Sequence, residues 1–350
     1  MAPAPSERCG KGARVVSQPT VAVIGAGSWG TALAALLADR GEEVVLWSRE
    51  PEVAAGITAE HRNPLFLADV DLPPHLRATS DLDEALAGVE VVVNVVPTQH
   101  VRDVFEGARR ALVRASVVVT CSKGIEAGTL RTPAQILGDL GVAAHRVVAL
   151  SGPSFAREVV ERFPTAVTAA GVDRGRTVLV RELFATDRFR VYSSDDVVGV
   201  EIGGACKNVV AIAAGISDGL GFGHNSRAAL ITRGLAEISR LGVALGGHPL
   251  TFAGLSGMGD LVLTCTGGLS RNRAVGVALG EGRTWAQIAA ETNEVAEGVH
   301  TSRSAHELGR SAGVEMPIAE QVHDIVFAGA DAHDAMHALT GRSQRDEREF

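Results

Sequence analysis

The feature that most constrains the fold is a short β-branched run that ends in a glycine turn and passes directly into a helical pattern. TVAVI covers residues 20–24, GAGSWG covers residues 25–30, and TALAALLADRG then places Ala and Leu at helical spacing. Such a run is typical of a buried parallel strand. Glycines at this spacing allow a tight turn whose backbone amides approach a pyrophosphate at the start of a helix. The context predicts a dinucleotide site at Gly25, Gly27 and Gly30, with a plain packing turn as the alternative.

Strand and helix patterns alternate through the first 200 residues. Further strands are predicted in EEVVLWSR, VEVVVNVVP, ASVVVTCSKG, RVVALSGPSFA, TAVTAAG and FRVYSS, with helices such as LDEALAG and HVRDVFEGARRAL between them. This alternation predicts an α/β domain over residues 20–200, with a Rossmann-like, doubly wound parallel sheet. From about Val197 the strand patterns stop, and helical patterns predict an all-α domain over residues 201–340. Residues 1–19 and 341–350 are predicted to be a disordered lead and a charged tail.

Composition and charge narrow the class of protein. The chain is 46% hydrophobic and 21% charged, as is usual for soluble globular proteins, and its net charge of −8 disfavours a nucleic-acid partner. The N-terminus lacks the apolar core of a signal peptide, and no uninterrupted apolar run reaches transmembrane length. A cytoplasmic protein without integral membrane association is therefore expected. The cysteines are scattered and form no CxxC pair, which fits reduced thiols; they are Cys9, Cys121, Cys206 and Cys265.

One lysine stands inside an almost wholly apolar helical pattern. In EIGGACKNVVAIAAGI, residues 201–216, Lys207 and Asn208 are the only strongly polar side chains after the first residue. Burial of an ammonium is costly unless the charge is paired or used, and desolvation lowers its pKa towards the range of a general acid or base. Gly203 and Gly204 would share its helix face and leave room for a ligand. From the residues alone, a snorkelling or structurally paired lysine is an equal alternative.

The end of the second predicted strand bears on the choice of cofactor. Sites that prefer NAD tend to place Asp or Glu there, whereas this chain has Trp47, Ser48 and Arg49, with Glu50 next. An arginine can pair with a 2′-phosphate, so the sequence predicts NADP(H) as the preferred cofactor, with NAD(H) also accepted. Stacking of Arg49 on the adenine is the alternative.

Two weaker patterns could indicate a metal site or a reactive thiol. His333 and His337 in HDAMH have the i, i+4 spacing of a zincin, but Asp replaces the catalytic Glu and no third ligand is apparent nearby. No metal is predicted. Cys206 lies beside Lys207, yet its apolar neighbours favour a small buried filler over a reactive thiol.

The chain resembles the bacterial-type NAD(P)-dependent glycerol-3-phosphate dehydrogenases across about residues 20–335. The motifs that carry the resemblance occur in family order: GAGSWGTALA, LWSR, VPTQ, CSKGIE, LSGPSFA, EIGGACKNVVAI, ALITRGLAE, GLSGMGDLVLTCTGGLSRNR and VAEGV. The family implies a reversible, NAD(P)H-dependent reduction of dihydroxyacetone phosphate to sn-glycerol 3-phosphate, which supplies phospholipid synthesis. It also implies a Rossmann domain followed by a helical domain like the C-terminal fold of 6-phosphogluconate dehydrogenase.

The resemblance further implies roles for individual residues. Lys207 would be the proton donor and acceptor, with Lys123 and Asp260 beside the reacting centre. Besides the glycine turn, the cofactor would contact Ser28, Trp29, Arg49, Lys123, Ala156, Arg271, Val295 and Glu297. The substrate would contact Lys123, Gly152, Ser154, Lys207, Asp260, Ser270, Arg271 and Asn272.

Residue chemistry supports these assignments unevenly. Lys123 and the segment 151–153 end predicted strands, where open α/β sheets bind ligands, although ordinary loop residues also occur there. Asp260 would hold the ammonium of Lys207 or, as residue type alone favours, would cap the helix that follows it.

The run SRNR offers guanidinium forks and neutral donors for a phosphate dianion. Because four consecutive helical positions cannot all face one ligand, Arg271 and Asn272 are expected to do most of the binding, from a helix N-terminus. A solvated basic turn is the alternative for an isolated SRNR.

Two other functions stay open at this point. A β-hydroxyacid dehydrogenase of similar architecture would take a carboxylate substrate and need no pocket for a phosphate dianion. A catalytically silent NADP(H)-sensing protein would keep GAGSWG without needing Lys207, Lys123 and Arg271 together. The oligomeric state is also open, with a homodimer among the expectations.

Overall fold

The computed structural model describes residues 20–291 and 296–340. The predicted lead and tail, together with Cys9 and Val295, lie outside this range. Eight strands form one sheet: β1 Val21–Ile24, β2 Val44–Trp47, β3 Arg77–Thr79, β4 Val91–Asn94, β5 Val117–Thr120, β6 Val147–Ser151, β7 Thr165–Ala170 and β8 Phe189–Ser194.

The strand order is β3-β2-β1-β4-β5-β6-β7-β8, which confirms a doubly wound, Rossmann-like sheet. The chain leaves β1 in one direction to form β2 and β3, and it returns to the other side of β1 to form β4. A crevice therefore opens between the carboxyl ends of β1 and β4. Strand β3 was not predicted, because three residues of the sequence RAT give too little alternation to be recognised.

The prediction of an all-parallel sheet was wrong at one junction. Strands β6 and β7 pair antiparallel, with Ser151 opposite Thr168, while every other neighbouring pair of the sheet runs parallel. The connection between them, residues 152–164, contains only one short helix and brings the chain back at the edge where β6 ended. A parallel return would have needed a full crossover to the opposite edge.

Helices cover the sheet and then form the second half of the chain. In the first half they are α1 Ser28–Asp39, α2 Pro51–Glu60, α3 Leu82–Ala85, α4 Val101–Glu106, α5 Arg109–Arg114, α6 Pro133–Asp139, α7 Ala156–Val160 and α8 Arg174–Phe184. The predicted helix HVRDVFEGARRAL is divided into α4 and α5 around Gly107. Single 3₁₀ turns occupy Thr98–His100 and Ala144–Arg146.

The second half is helical, as predicted. Its helices are α9 Val197–Gly219, α10 Gly223–Ala244, α11 Pro249–Phe252, α12 Asp260–Thr266, α13 Arg271–Gly280, α14 Trp285–Glu291, α15 Glu297–Ala312, α16 Pro317–His323 and α17 Ala332–Thr340. Two π turns, Leu255–Gly259 and Asp324–Ala328, lead into α12 and follow α16. The last strand ends at Ser194 and α9 begins at Val197, so the helical half starts shortly before residue 201.

Helix α9 is the central helix of this second half. By length and hydropathy α9 could cross a membrane, although Glu201 and Lys207 interrupt its apolar run. Inside the protein, 89% of its apolar window is buried. Helix α13 crosses it at glycines: a Cβ on Gly215 would lie 2.1 Å from the carbonyl oxygen of Arg273, and one on Gly276 would lie 2.1 Å from that of Ile212. This close crossing brings the N-terminus of α13 beside the middle of α9.

Candidate active site at the carboxyl edge of the sheet

The glycine turn lies at the crevice between β1 and β4. Gly25 has a φ of 113°, a conformation that favours glycine, and the amide nitrogen of Gly25 donates to the carbonyl oxygen of Trp47. A Cβ on Gly30 would lie 1.7 Å from the carbonyl oxygen of Gly25, so only glycine lets α1 start this close to the strand. At Gly27, by contrast, no described atom lies within 4 Å of such a Cβ.

This turn fits a dinucleotide pyrophosphate. Gly27 is the N-cap of α1, and Ser28 and Trp29 form its first turn, where unpaired amides and the helix dipole favour an anion. The open space at Gly27 lies on that end of the helix. Ala156 opens α7, which packs against α1 beside the turn.

The segment that follows β2 carries the predicted cofactor discriminator. The side chain of Arg49 is 78% exposed and pairs with the adjacent Glu50, with a distance of 2.7 Å between Nη2 and Oε1. Burial acts to raise the pKa of Glu50, but hydrogen bonds from Arg49, the backbone and Ser48 outweigh it and lower the pKa. Arg49 therefore reaches into solvent with a neighbouring carboxylate that competes for its guanidinium.

Lys207 is buried in the cleft below this edge, with only 7% of the residue exposed. Its Nζ donates to Oδ1 of Asp260 at 2.6 Å and to Oγ1 of Thr264 at 2.9 Å. Burial lowers the pKa of Lys207 to about 8, and the ammonium of Lys123 acts in the same direction, whereas Asp260 opposes the shift. The sequence-based expectation of a desolvated lysine with a lowered pKa is thus met in the structure.

Lys123 approaches the same carboxylate from the end of β5. Its Nζ donates to Oδ2 of Asp260 at 2.8 Å and to the carbonyl oxygen of Gly152 at 3.1 Å. The hydroxyl of Ser154 donates to that same carbonyl oxygen at 2.9 Å. Gly152 has a φ of 146°, and a Cβ there would lie 2.9 Å from the Cα of Val167, so the backbone of this loop is held close to β7.

Asp260 does not cap a helix, contrary to what residue type alone favoured. It is the first residue of α12, its N-cap is Gly259, and its side chain is turned to the two lysines. The preceding π turn Leu255–Gly259 widens the backbone just before this point, a feature that often occurs at functional sites. With 1% of the residue exposed, the carboxylate holds two ammonium groups that burial would otherwise disfavour.

The two glycines before Lys207 do not leave room for a ligand, which corrects the sequence-based expectation. A Cβ on Gly203 would lie 2.7 Å from the carbonyl oxygen of Ser256, and one on Gly204 would lie 2.7 Å from Oγ of Ser151. Their space is filled by the π turn and by the end of β6. The glycines instead let α9 lie against the loops that carry Asp260 and Lys123.

The SRNR run begins a helix, as expected. Ser270 is the N-cap of α13 and accepts a hydrogen bond from the amide of Arg273, whose guanidinium is bound to Asp218 at 2.7 Å. Arg271 is exposed. Asn272 is hydrogen-bonded to Asn208 and to the amide of Gly298. The structure therefore separates the two arginines, and Arg271 is the one that is turned away from Asp218.

An asparagine network joins this helix to the lysine cluster. Asn208 donates to the carbonyl oxygen of Lys123 at 3.1 Å and accepts from Nδ2 of Asn272 at 2.9 Å. Oδ1 of Asn272 in turn accepts from the amide of Gly298 at 3.0 Å. Three elements of the helical half are thereby held against the end of β5.

Glu297 links the start of α15 to the end of β4. Its Oε1 accepts from the amide of Thr98 at 2.8 Å and from the Thr98 hydroxyl at 3.0 Å. Burial raises the pKa of Glu297, against the lowering effect of these hydrogen bonds and of Arg271. Val295, predicted beside it, lies outside the described residues.

Sequence reasoning missed several residues that hold the site. Thr264 binds Lys207, Asn208 binds the backbone of Lys123, and Thr98 binds Glu297. Thr264 could have been found, because it lies one helical turn after Asp260 and its hydroxyl donates to the Asp260 carbonyl oxygen. The contact of Thr98 spans 199 residues of sequence and leaves no local signal.

Of the weaker candidates, the histidine pattern lies on the exposed surface, whereas Cys206 is buried next to Lys207 in α9. The ligating atoms of Asp331, His333 and Asp334 lie within 4.8 Å of one another on the exposed surface, so two carboxylates lie near His333. One of them, Asp331, accepts backbone amides at the start of α17 as its cap. Cys206 is buried, and burial raises the pKa of its thiol to about 12. A thiolate at Cys206 is accordingly disfavoured, as the sequence predicted.

Comparisons with known proteins agree with this geometry. Family models for the N-terminus and the C-terminus of NAD-dependent glycerol-3-phosphate dehydrogenase match residues 20–176 and 196–337. A Citrifermentans bemidjiense protein named glycerol-3-phosphate dehydrogenase (NAD(P)+) is 54% identical over 329 residues, covering 93% of this chain and 98% of that protein. A Myxococcus xanthus protein of the same name is 53% identical over 327 residues, covering 93% of this chain and 98% of its own.

Solved structures that resemble this chain also include a glycerol-3-phosphate dehydrogenase. The crystal structure of glycerol-3-phosphate dehydrogenase from Coxiella burnetii superimposes with a TM-score of 0.89 at 40% identity, covering 93% of this chain and 99% of that one. A D-mandelate dehydrogenase solved with NADH reaches a TM-score of 0.58 at 14% identity, over 89% of this chain and 98% of that one. The second likeness shows the fold alone.

Proposed function

The chain belongs to the NAD-dependent glycerol-3-phosphate dehydrogenase family, and we propose that Lys207 is the group that exchanges a proton with the substrate in its reaction. The enzyme reduces dihydroxyacetone phosphate to sn-glycerol 3-phosphate with NAD(P)H, reversibly. The observation that carries the proposal is the buried ammonium of Lys207, held 2.6 Å from Asp260 at the carboxyl edge of the sheet. A group in this position can donate to a carbonyl oxygen that gains negative charge.

The pKa of Lys207 suits both directions of the reaction. With a pKa of about 8, Lys207 is mainly protonated at neutral pH and can donate a proton during ketone reduction. In the reverse direction, the neutral amine accepts the proton of the substrate hydroxyl. Asp260 and Thr264 hold Nζ in one place, so that the proton is delivered to a fixed point.

Lys123 supplies a second positive charge at the same point. Its Nζ shares Asp260 with Lys207, so one carboxylate is set against two ammonium groups. The cluster therefore carries a net positive charge, which would stabilise developing charge on the substrate oxygen. Gly152 and Ser154 line the loop beside Lys123 and are proposed to contact the substrate.

The start of α13 is proposed to bind the phosphate. Arg271 presents an exposed guanidinium there, and Ser270 and Asn272 flank it. Guanidinium groups bind phosphate oxygens in pairs, and a helix N-terminus adds unpaired amides. Asn208 binds both Asn272 and the backbone of Lys123, which supports a fixed distance between the proposed phosphate site and Lys123.

The glycine turn, Arg49 and Glu297 are proposed to hold the dinucleotide. When bound, the cofactor supplies the hydride. Amides of Gly27, Ser28 and Trp29 would contact the pyrophosphate, and Arg49 would contact a 2′-phosphate. Ala156, Lys123, Arg271 and Val295 complete the proposed set of cofactor contacts.

The same proposal divides the chain into a cofactor-binding domain over residues 20–200 and a substrate-binding domain over residues 201–340. Three points stay predictions: that the product supplies phospholipid synthesis, that the protein is cytoplasmic, and that it forms a homodimer. The buried position of α9 supports a core role for that helix in place of a membrane anchor.

The function is tested by following oxidation of NADPH and NADH with dihydroxyacetone phosphate, with unphosphorylated dihydroxyacetone as the control. Because charge-assisted hydrogen bonds contribute about 1.5–3 kcal/mol each, kcat/KM is expected to be about a hundredfold or more higher for the phosphate ester. Comparable turnover of both ketones would contradict a phosphate site at α13. Turnover of 3-hydroxy acids alone would point to a β-hydroxyacid dehydrogenase, and binding of both cofactors without oxidation would point to a sensor.

A further inference from the structure

Asn63 is a buried polar residue that no predicted site includes. It follows α2, and none of the residue is exposed. Its side-chain Nδ2 donates to the carbonyl oxygen of Ala26 at 2.9 Å and to Oγ1 of Thr31 at 2.8 Å. Its Oδ1 accepts the amides of Leu65 at 3.1 Å and Phe66 at 3.0 Å. All four hydrogen-bonding positions of the amide are therefore used.

These four contacts fix the orientation of the amide group. If Asn63 were flipped, its oxygen would face the Ala26 carbonyl and its NH₂ group would face two backbone N–H groups. The observed orientation is the one in which every donor meets an acceptor. Asn63 is therefore a rigid link between the glycine turn, 37 residues earlier in the sequence, and the turn at residues 63–66.

The link acts on one particular peptide of the glycine turn. The carbonyl oxygen of Ala26 accepts from Asn63 and also from the Thr31 hydroxyl, at 3.2 Å. Because a trans peptide is planar, fixing the Ala26 carbonyl also fixes the N–H of Gly27, which points to the opposite side. Around Gly27 no other described atom lies within 4 Å of a Cβ placed there, so the backbone at this residue is open to a ligand.

We propose that Asn63, together with Thr31, is a positioning residue for the cofactor, because it holds the Ala26–Gly27 peptide with its N–H turned towards the pyrophosphate. This inference rests on the proposed role of the glycine turn as the cofactor site. All contacts of the Asn63 amide lie within the protein, and Arg49 is the residue proposed to contact the 2′ position of the ribose. The effect of Asn63 is therefore the same on NADH and on NADPH.

The test measures dissociation constants of NADH and NADPH by the fluorescence of the bound dinucleotide, together with kcat and KM for dihydroxyacetone phosphate. Asn63→Ala removes all four contacts, which leaves the amides of Leu65 and Phe66 without this partner and the Ala26 carbonyl held by the Thr31 hydroxyl alone. Both cofactors are expected to bind more weakly by the same factor, about five- to a hundredfold, since loss of a buried hydrogen-bond partner costs about 1–3 kcal/mol. Turnover at saturating cofactor and the KM for the ketone should stay within about twofold of the parent.

Thr31→Val keeps the inference testable if Asn63→Ala does not fold. It removes only the hydroxyl that shares the Ala26 carbonyl, and a smaller but equal loss of both cofactors is expected. The matched control is Thr177→Val, since Thr177 is also buried and its hydroxyl donates to the backbone carbonyl of Gly171, six residues away. Thr177→Val should lower Tm without changing either dissociation constant.

Two results would overturn the inference. One is an unchanged affinity for both cofactors in Asn63→Ala and Thr31→Val, with Tm lowered only as in Thr177→Val. The other is a loss that affects one cofactor alone. Gly27→Asp tests whether the glycine turn is the cofactor site at all. Asp is a good N-cap, so α1 should stay stable, but its carboxylate would repel the pyrophosphate. If Gly27→Asp binds both cofactors normally, the glycine turn is not the cofactor site, and the inference falls with it.

Discussion

Two parts of the proposed site would bind negative groups by different means. The glycine turn would use backbone amides of the consecutive residues 27–29, at the start of one helix. The lysine cluster uses side chains of Lys123, Lys207 and Asp260, which come from the end of β5, the middle of α9 and the start of α12. The first arrangement can hold charge but has no group that titrates, whereas the second contains an amine whose pKa is about 8. Binding and proton exchange should therefore be separable by mutation.

The sharpest separation is expected for Lys207→Met. Loss of a positioned general acid lowers kcat by about 10²–10⁴-fold, while dissociation constants of NADPH and NADH should stay within about twofold. Methionine keeps much of the volume in an apolar helix, and Thr264→Val, which removes only a hydroxyl that contacts Nζ, should give an intermediate loss. Steady-state kinetics and cofactor titration measure the two quantities. An unchanged kcat would exclude the assigned role.

The pH profile provides the control for this prediction. In the parent enzyme, kcat/KM for ketone reduction should fall as pH rises through about 8, because Lys207 loses its proton. For the same reason, kcat/KM for glycerol 3-phosphate oxidation should rise over this range. The residual activity of Lys207→Met should show neither trend near pH 8. A variant that retains both trends would mean that another group titrates in the reaction.

Arg49→Ala is expected to separate the affinity for NADPH from the affinity for NADH. Loss of charge-assisted hydrogen bonds to a 2′-phosphate, about 1.5–3 kcal/mol, should raise the dissociation constant of NADPH by about 10–100-fold and leave that of NADH and kcat nearly unchanged. Glu50→Gln is the matched opposite change, since it frees the Arg49 guanidinium from its neighbour. The exposed pair is worth about 0–1 kcal/mol, so NADPH binding should improve by about fivefold at most. Equal losses of NADH and NADPH in Arg49→Ala would show that Arg49 does not distinguish the cofactors.

The smallest effect on activity is expected at Glu201, which belongs to neither region. Its Oε1 accepts from the amide of Ala134 at 2.8 Å and joins α9 to the start of α6, and burial raises its pKa to about 7. Glu201 binds a proton more tightly in the folded state than in the unfolded state. Its contribution to the free energy of unfolding is therefore fully present below pH 4.5 and is lost as pH rises through about 7. Unfolding free energy should fall over this window by an amount on the order of 3 kcal/mol.

Glu201→Gln removes that ionisation and should flatten this part of the stability profile, while kcat stays unchanged. Chemical denaturation at pH 5 and pH 8 measures the difference. Glu60→Gln, at an exposed position that ends α2, is the control for loss of one charge. If both variants kept the slope of the parent enzyme, Glu201 would not be its source.

The two regions also differ in how far they could be predicted from the sequence. The glycine turn and its flanking strand and helix are contiguous, and each local pattern agreed with the next, so their positions were predicted correctly. For the lysine cluster, residue type indicated an unusual Lys207 but assigned Asp260 to a helix cap. Nothing local shows that a π turn aims this carboxylate at two ammonium groups that lie 53 and 137 residues away.

The remaining errors have the same physical origin. Gly203 and Gly204 were expected to leave space, because a sequence shows which side chains are small but not which backbone fills the gap. Asn63 gave no signal, since its contact with Ala26 depends on how the segment after α2 returns to the sheet. The antiparallel entry of β7 depends on the path of residues 152–164, where strand patterns carry no direction.

Helix α9 also has a consequence for the chain before it is folded. As it leaves the ribosome, this helix of 23 residues, which includes an 18-residue window with a mean hydropathy of 1.5, has the length and character of a segment that partitions into lipid. Lys207 stands near its midpoint, where a positive charge costs about 2.5–3.5 kcal/mol on membrane-insertion scales. The ammonium that is proposed to exchange the substrate proton would therefore also oppose partition of the nascent helix into a bilayer.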